Sequence, residues 1–328
     1  MMRAIVRQQY GGPEQLRIQD VPKPIAANGE VLVRVCAFGL NRAEQYFRQG
    51  VWGEVAAISG IECAGEVEHD PSGRLREGQA VIALMGGMGR SRNGSYAEWV
   101  CVPASNVVPI QTSLSWAELA ALPESYATAW TCLHDNLALQ EGDTLLIRGA
   151  LSALGQAALA LAKQRGASVI ATVRQASRLE AARRLGADEA WVESPSLSSQ
   201  MADAKAQGVD KVLDLVGTST MLDSLRLAKR NGRVCVAGFL GGHEPIAAFD
   251  PMAHLPSGRH LSFFASALVF GGAEYPLGEI PFQQIIEWAE SGDIPAKPAS
   301  VFPFEHIQAA HRLLDEQAAG GKIVVTLD

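Results

Sequence analysis

The stretch TLLIRGALSALGQAALALAK is the part of this 328-residue chain whose residue types and spacing most clearly suggest a chemistry. An apolar strand, a small-residue turn and an apolar helix in that order present N–H groups and the positive end of a helix to a pyrophosphate. The turn runs from Gly149 to Gly155, and Gly149, Ser152, Ala153 and Leu154 are its candidate phosphate contacts. A full dinucleotide fingerprint carries three glycines, for the tight turn, the close approach of backbone to phosphate, and the packing of helix on strand. Here the outer two are present and Ser152 stands in the middle, where a small side chain admits a phosphate and a hydroxyl can donate to it. The same residues also suit an ordinary helix cap. Both readings stand at this point.

The next strand bears on which nicotinamide dinucleotide would fit. A site for NAD usually ends that strand in Asp or Glu, which binds the ribose 2′-hydroxyl. This chain reads ATVRQASRLEAARR there and offers Arg174 and Arg178. A planar guanidinium suits a phosphate dianion, so the expectation is NADPH. The plainer alternative is that both arginines are solvated surface residues.

Metal chemistry finds no support in the sequence. The five cysteines, Cys36, Cys63, Cys101, Cys132 and Cys235, are far apart, form no CxxC pair and lie mostly in apolar runs, so they read as buried thiols. His306 and His311 are five apart, which puts them on different faces of a helix, whereas zinc pairs favour a spacing of four. A net charge of −7 offers no basic field to nucleic acid. The first residues lack a signal-peptide run and no stretch is long enough to cross a bilayer, so no membrane association and a cytoplasmic location are expected.

Elements that could position such a turn follow from the texture of the chain. Up to about Pro109 the pattern is short and β-rich, as in RAIVRQ, GEVLVRVCAFGL, GIECAGEVE and SYAEWVCV, which predicts a small antiparallel barrel or sandwich. Near Ser115 a capping-box start, Ser-Trp-Ala-Glu, opens an Ala/Leu-rich helical segment running towards Leu139. Strands are then predicted at 144–148, 168–174, 190–192, 211–216, 232–237 and 261–266, with helices between them, the pattern of a doubly wound parallel sheet. Beyond residue 267 a helix (FQQIIEWAESG) is followed by EHIQAAHRLLDEQAAGG and KIVVTLD, the last two expected to return to the first domain.

In its order of motifs the chain resembles the medium-chain dehydrogenase/reductase superfamily, within it the zinc-free quinone oxidoreductase branch that includes zeta-crystallin. The resemblance covers essentially the whole chain and rests on GLNRAEQYFRQG, ISGIECAGEV, GSYAEWVCVP, LPESYATAW, GALSALGQAALALAK and GGKIVV. It implies an α/β protein: a GroES-like β-rich substrate domain over residues 1–122, a Rossmann doubly wound parallel sheet over 123–266, and a return segment over 267–328 completing the first domain. A cofactor cleft between the domains and a homodimer are implied too. Zinc-dependent relatives carry Cys near Asn41 and a GHE where this chain has Gly60-Ile61-Glu62, and Ile61 cannot ligate zinc.

Carried over position by position, the resemblance places Asn41 and Tyr46 near nicotinamide and substrate as the polar groups of catalysis, Asn41 also touching the cofactor. Thr128 matches a cofactor-contacting threonine, Gly238 and Phe239 follow the fifth strand of the sheet, Phe263 and Phe264 border the cleft, and Lys322 matches a basic residue near the cofactor. Plainer readings are a turn for Asn41, barrel packing for Tyr46 and core packing for the two phenylalanines. One position departs from the family: Glu193 stands where many relatives have a Tyr beside the adenosine phosphate, and its charge would repel a 2′-phosphate. The implied function is hydride transfer from NADPH to a quinone or α,β-unsaturated carbonyl, a small-molecule acceptor electrophilic without a metal. An enoyl-thioester reductase and an NADPH-binding sensor or structural protein are the rival readings.

Overall fold

The computed structural model describes residues 1–203, 207–242, 244–317 and 319–327. The chain divides into two compact units, Met1–Ala127 with Ser266–Asp328, and Thr128–Ala265.

In the first unit, β1 (Met2–Arg7) pairs antiparallel with β2 (Leu16–Val21). The main sheet is built on β3 (Glu30–Leu40), with β4 (Glu62–His69), β5 (Ala80–Leu84), β6 (Trp99–Pro103) and β7 (Val107–Pro109). Alternating burial packs Val31, Val33, Val35, Val67, Val81, Ala83, Val100 and Val102 into one core, as expected where each strand has one face turned inward. Three helices belong to this stretch: α1 (Arg42–Gln49), α2 (Trp116–Leu119) and α3 (Pro123–Thr131). The Ser115–Glu118 capping box is present, but the long helix expected after it is broken. Pro123 has no N–H to give and its ring crowds the preceding turn, so α2 stops and a new helix starts at the proline. From Cys132 to Asn136 the ladder widens into a π-turn and ends there.

The second unit carries a six-stranded sheet: β8 (Thr144–Arg148), β9 (Ser168–Val173), β10 (Glu189–Val192), β11 (Val209–Asp214), β12 (Ala228–Val236) and β13 (His260–Phe263). All its pairings are parallel and the spatial order is β10-β9-β8-β11-β12-β13. That is the doubly wound Rossmann order, whose strand direction of travel reverses between β8 and β11. The connecting helices are α4 (Ala153–Gln164), α5 (Leu179–Arg184), α6 (Leu197–Gln200), α7 (Met221–Leu227) and α8 (Pro251–His254). Strand β12 starts four residues before its expected beginning at 232. Asn231-Gly232 reads as a turn but forms a kink inside the strand, with Asn231 at φ 64° and the register against β11 shifting between Val209 and Lys211.

The chain then re-enters the first unit through α9 (Ser266–Val269), α10 (Phe282–Ser291), β14 (Ser300–Pro303), α11 (Ile307–Asp315) and β15 (Ile323–Thr326). Strand β15 pairs antiparallel with β3, Ile323 opposite Leu40. Because β14 runs parallel to β15, the main sheet is mixed rather than purely antiparallel. Helix α11 is locked to α1 by buried polar contacts. Arg48 donates to both oxygens of Asp315 (2.6 and 2.7 Å) and through Nε to His311 Nδ1 (3.3 Å). The neutral imidazole therefore carries its proton on Nε2, 3.0 Å from the Tyr96 hydroxyl. Burial, aided by the neighbouring Arg48 charge, pushes the His311 pKa down to about 3. No helix among the described residues is long and apolar enough to cross a membrane.

Candidate active site

In the second unit the turn after β8 has the backbone such a cradle needs. Gly149 sits at φ 81°, and a Cβ there would meet Leu240 Cδ1 at 2.9 Å. A Cβ on Gly155 would lie 2.6 Å from the Gly149 carbonyl, so only glycine lets α4 come this close to the turn. Ser152 is the N-cap of α4: its hydroxyl accepts from the Gly155 N–H (3.1 Å) and donates to the Gly149 carbonyl (2.9 Å). The capping alternative therefore describes its side chain, and its hydroxyl proton points into the turn rather than out to a phosphate. The N–H groups of Ala153 and Leu154 begin the helix ahead of its ladder, where a helix offers donors to an anion.

Arg174 follows β9 and is exposed, and Arg178 is half-buried one turn on. Glu193, at the end of neighbouring β10, is not the solitary negative charge its place in the sequence suggests. Arg148, fully buried at the end of β8, reaches it with Nε (3.1 Å) and Nη2 (2.5 Å). The same guanidinium donates to Asp223 Oδ2 (2.9 Å), Ser224 Oγ (3.1 Å) and the Ser194 carbonyl (2.5 Å). Thr172 completes the arrangement, its hydroxyl donating to Glu193 Oε2 (2.5 Å) while accepting from the Gly149 N–H (3.1 Å). Opposite Arg148 in register, Asp214 ends β11, and burial raises its pKa although Gly217 N–H, Ser224 and Thr220 all donate to it.

Past β12, Gly238 lies against the Leu215 carbonyl, 2.7 Å from where a Cβ would sit. The ring of Phe239 tilts against Phe263 with centroids 5.7 Å apart; Phe263 is exposed and Phe264 buried. Thr128 is buried in α3.

A second polar cluster lies in the first unit. Lys322, buried just before β15, forms an ion pair with Glu62 Oε1 (2.5 Å) and donates to Asn41 Oδ1 (2.6 Å). Asn41 Nδ2 donates to the same Glu62 oxygen (2.8 Å), closing a three-membered ring, and Glu62 Oε2 accepts from the Glu124 N–H (2.7 Å). The ammonium also reaches Ser125 Oγ at 3.4 Å. Beneath it the Glu44 carboxyl is fully buried and accepts from the Asn41 N–H (2.7 Å) and the Ile61 N–H (3.0 Å). Burial pushes its pKa up to about 8 against those two bonds, with Glu62 adding to the rise. Tyr46 lies on α1, half-buried beside Trp52 with ring centroids 5.1 Å apart, and burial raises its phenol pKa. The structure thus joins Asn41 and Lys322 directly, with Tyr46 on the helix that Asn41 begins. A 670 Å³ pocket elsewhere in this unit, lined by residues such as Val21, Ile58 and Trp99, includes none of the expected site residues.

Neither cluster is a fitting zinc site. Ile61 presents a buried hydrocarbon side chain, the Asn41 amide is engaged by Glu62 and Lys322, and the Glu62 carboxylate by Asn41 and Lys322 at Oε1 and by the Glu124 N–H at Oε2. No group of three or more His, Cys, Asp or Glu placed to hold a metal occurs among the described residues. Cys36, Cys63, Cys132 and Cys235 are buried and Cys101 half-buried, all as free thiols, with burial lifting Cys36 and Cys101 to about 11.

Sequence reasoning missed Glu62, Glu44, Arg148 and Thr172 as members of these clusters. The spacing Asn41-x-x-Glu44 is a readable capping signal. Nothing local marks the partners of Arg148, which lie 45 and 75 residues away.

Two family descriptions match the chain: an alcohol dehydrogenase GroES-like domain over residues 27–112 and a zinc-binding dehydrogenase domain over 153–275. Quinone oxidoreductase of Rattus norvegicus is 27% identical over 340 residues, covering 100% of this chain and 98% of the relative. Among solved structures, an NAD-dependent alcohol dehydrogenase is 29% identical with a TM-score of 0.82, each chain covered in full. A mycobacterial protein complexed with NADPH has a TM-score of 0.84 at 24% identity, covering 99% of this chain and 100% of its own; that likeness speaks to the fold.

Proposed function

The chain belongs to the medium-chain dehydrogenase/reductase superfamily as a quinone oxidoreductase-like oxidoreductase, and on that premise we propose that it is a zinc-independent, NADPH-dependent reductase of quinones or α,β-unsaturated carbonyls. The observation that carries the acceptor class is the Asn41–Glu62–Lys322 ring beside Ile61. With no ligand set for a Lewis acid among the described residues, the acceptor has to be electrophilic already, and hydrogen-bond donors must receive the charge that develops on its oxygen.

Bound nicotinamide supplies the hydride. The turn glycines leave room for the pyrophosphate and the first N–H groups of α4 receive it. Arg174 and Arg178 take the 2′-phosphate. In the first unit, Asn41 has one amide hydrogen beyond that given to Glu62, and Lys322 and Glu62 fix which way the amide faces. Tyr46, its phenol pKa raised by burial, stays protonated through the neutral range and donates to the acceptor oxygen.

Steady-state oxidation of NADPH and NADH against ortho-quinones, para-quinones, enones and enoyl thioesters tests this. Turnover with the first three, faster with NADPH and unchanged by EDTA, is expected. Turnover confined to enoyl thioesters would replace the acceptor class, and cofactor binding without turnover on any acceptor would leave a sensor.

A further inference from the structure

The ends of β8, β9 and β10 bring together more charge than phosphate binding at the turn requires. Strand β10 pairs with β9 so that Val192 stands opposite Val173, and the Glu193 N–H donates to the Val173 carbonyl (2.8 Å). Glu193 is therefore level with Arg174 on the adjacent chain, about 5 Å away at the usual strand spacing. A carboxylate turned outward there would face whatever anion Arg174 receives. Coulomb repulsion between a carboxylate and a phosphate dianion a few ångströms apart, partly screened, lowers affinity on the order of tenfold or more.

The carboxylate is turned inward instead. Arg148 holds Glu193 through Nε and Nη2, Thr172 donates to its other oxygen, and the Ser194 N–H donates to Oε1 (2.9 Å). Only 15% of the Glu193 side chain is exposed, and none of Arg148. We propose that Arg148, with Thr172, is a specificity-determining positioning residue: by neutralising Glu193 and holding it inward, it lets the end of β9 accept an adenosine 2′-phosphate beside an acidic residue. The inference rests on the NADPH reading and assigns that preference to a residue which need not touch the cofactor.

Arg148 also faces Asp223 and stands in register with Asp214, so removing it alone leaves buried acids unmatched and threatens folding. The variants are therefore R148Q/D223N, which removes one charge of each sign, R148Q/D223N/E193Q, and E193Q by itself. Binding of 2′,5′-ADP and of 5′-AMP, which differ by the 2′-phosphate, is measured calorimetrically on the full chain. R148Q/D223N is expected to lower the affinity ratio of 2′,5′-ADP to 5′-AMP at least tenfold, and adding E193Q to restore it to within threefold of wild type. E193Q alone changes the ratio less than threefold, because the carboxylate is already silent.

Equal weakening of both ligands in R148Q/D223N, or no recovery on adding E193Q, overturns the proposal. So does a tenfold gain in the ratio for E193Q alone, a result readable even if the Arg148 variants fail to fold. A wild-type ratio near one sinks the NADPH reading by itself, while the ratios among the variants still decide the role of Arg148.

Discussion

Lys322 and Glu62 are an ion pair removed from water, 6% and 0% exposed. Such a pair loses hydration roughly as it gains attraction, so its net stabilisation is small, yet deleting one member strands the other at about 3–5 kcal/mol. Lys322→Met is expected to destabilise the protein by about that amount and to lower kcat by releasing Asn41. Lys322→Met/Glu62→Leu should regain most of the stability without the activity, as urea denaturation and steady-state rates would report. Arg174 poses the opposite case, an exposed cation whose loss costs little stability. If it holds the 2′-phosphate, Arg174→Ala raises KM for NADPH roughly tenfold or more, from the loss of one charge-assisted pair, and leaves KM for NADH nearly unchanged. Equal rises for the two cofactors would remove that assignment. At this scale the sequence shows what is local: the backbone demands of Gly149 and Gly155 and the hydrocarbon at Ile61 are readable in place. The setting of Glu193 was not legible, because a carboxylate's effect depends on what faces it and Arg148 is 45 residues away.

Helices α1 and α11 each bury a titratable group, and the two pull stability in opposite directions with pH. Glu44 has a folded pKa raised to about 8 from 4.5, so its contribution is present below about pH 4.5 and lost as pH climbs to 8. His311 has a folded pKa lowered to about 3 from 6.5, so its contribution is present above about pH 6.5 and lost as pH drops to 3. Each slope is at most roughly 1.4 kcal/mol per pH unit. Together they give a rise between about pH 3 and 4.5, near-cancellation up to 6.5, and a fall from there to 8. Glu44→Gln should abolish the fall while keeping the rise; denaturation midpoints of wild type and variant across this range would show it, and parallel curves would refute it. Element boundaries were legible to the extent that their causes are local. The capping box at Ser115 and the strand-helix alternation after it follow from short patterns. The break at Pro123 runs against an apolar periodicity that continues past one proline, and the start of β12 before residue 232 lies across the kink at Asn231, which a pattern of apolar residues does not show.

Across the whole molecule, the six-stranded sheet ends at β13, where Leu261 and Phe263 are 39% and 55% exposed. An edge strand with apolar side chains at the surface invites pairing with another chain, and a homodimer formed there would be the assembly the family resemblance implies. Leu261→Asp is then expected to shift the mass in light scattering from dimer to monomer; an unchanged mass would place the contact elsewhere. The doubly wound sheet could be anticipated because its strands follow one another along the chain. The mixed character of the other sheet could not: the return of KIVVTLD is readable, but the four residues of β14 that pair parallel with it carry no strand pattern of their own.

That late arrival also dates the first unit's polar ring. Asn41 and Lys322 are separated by 281 positions, and the whole of Thr128–Ala265 lies between them. During synthesis Glu62 emerges long before its cation exists, whereas the intervening unit is uninterrupted in the chain and can fold as soon as it appears. On the proposed function, the nascent chain would acquire its nucleotide-binding half first and its acceptor-facing half last, and a stalled product that ends before Lys322 is then expected to bind dinucleotide while reducing nothing.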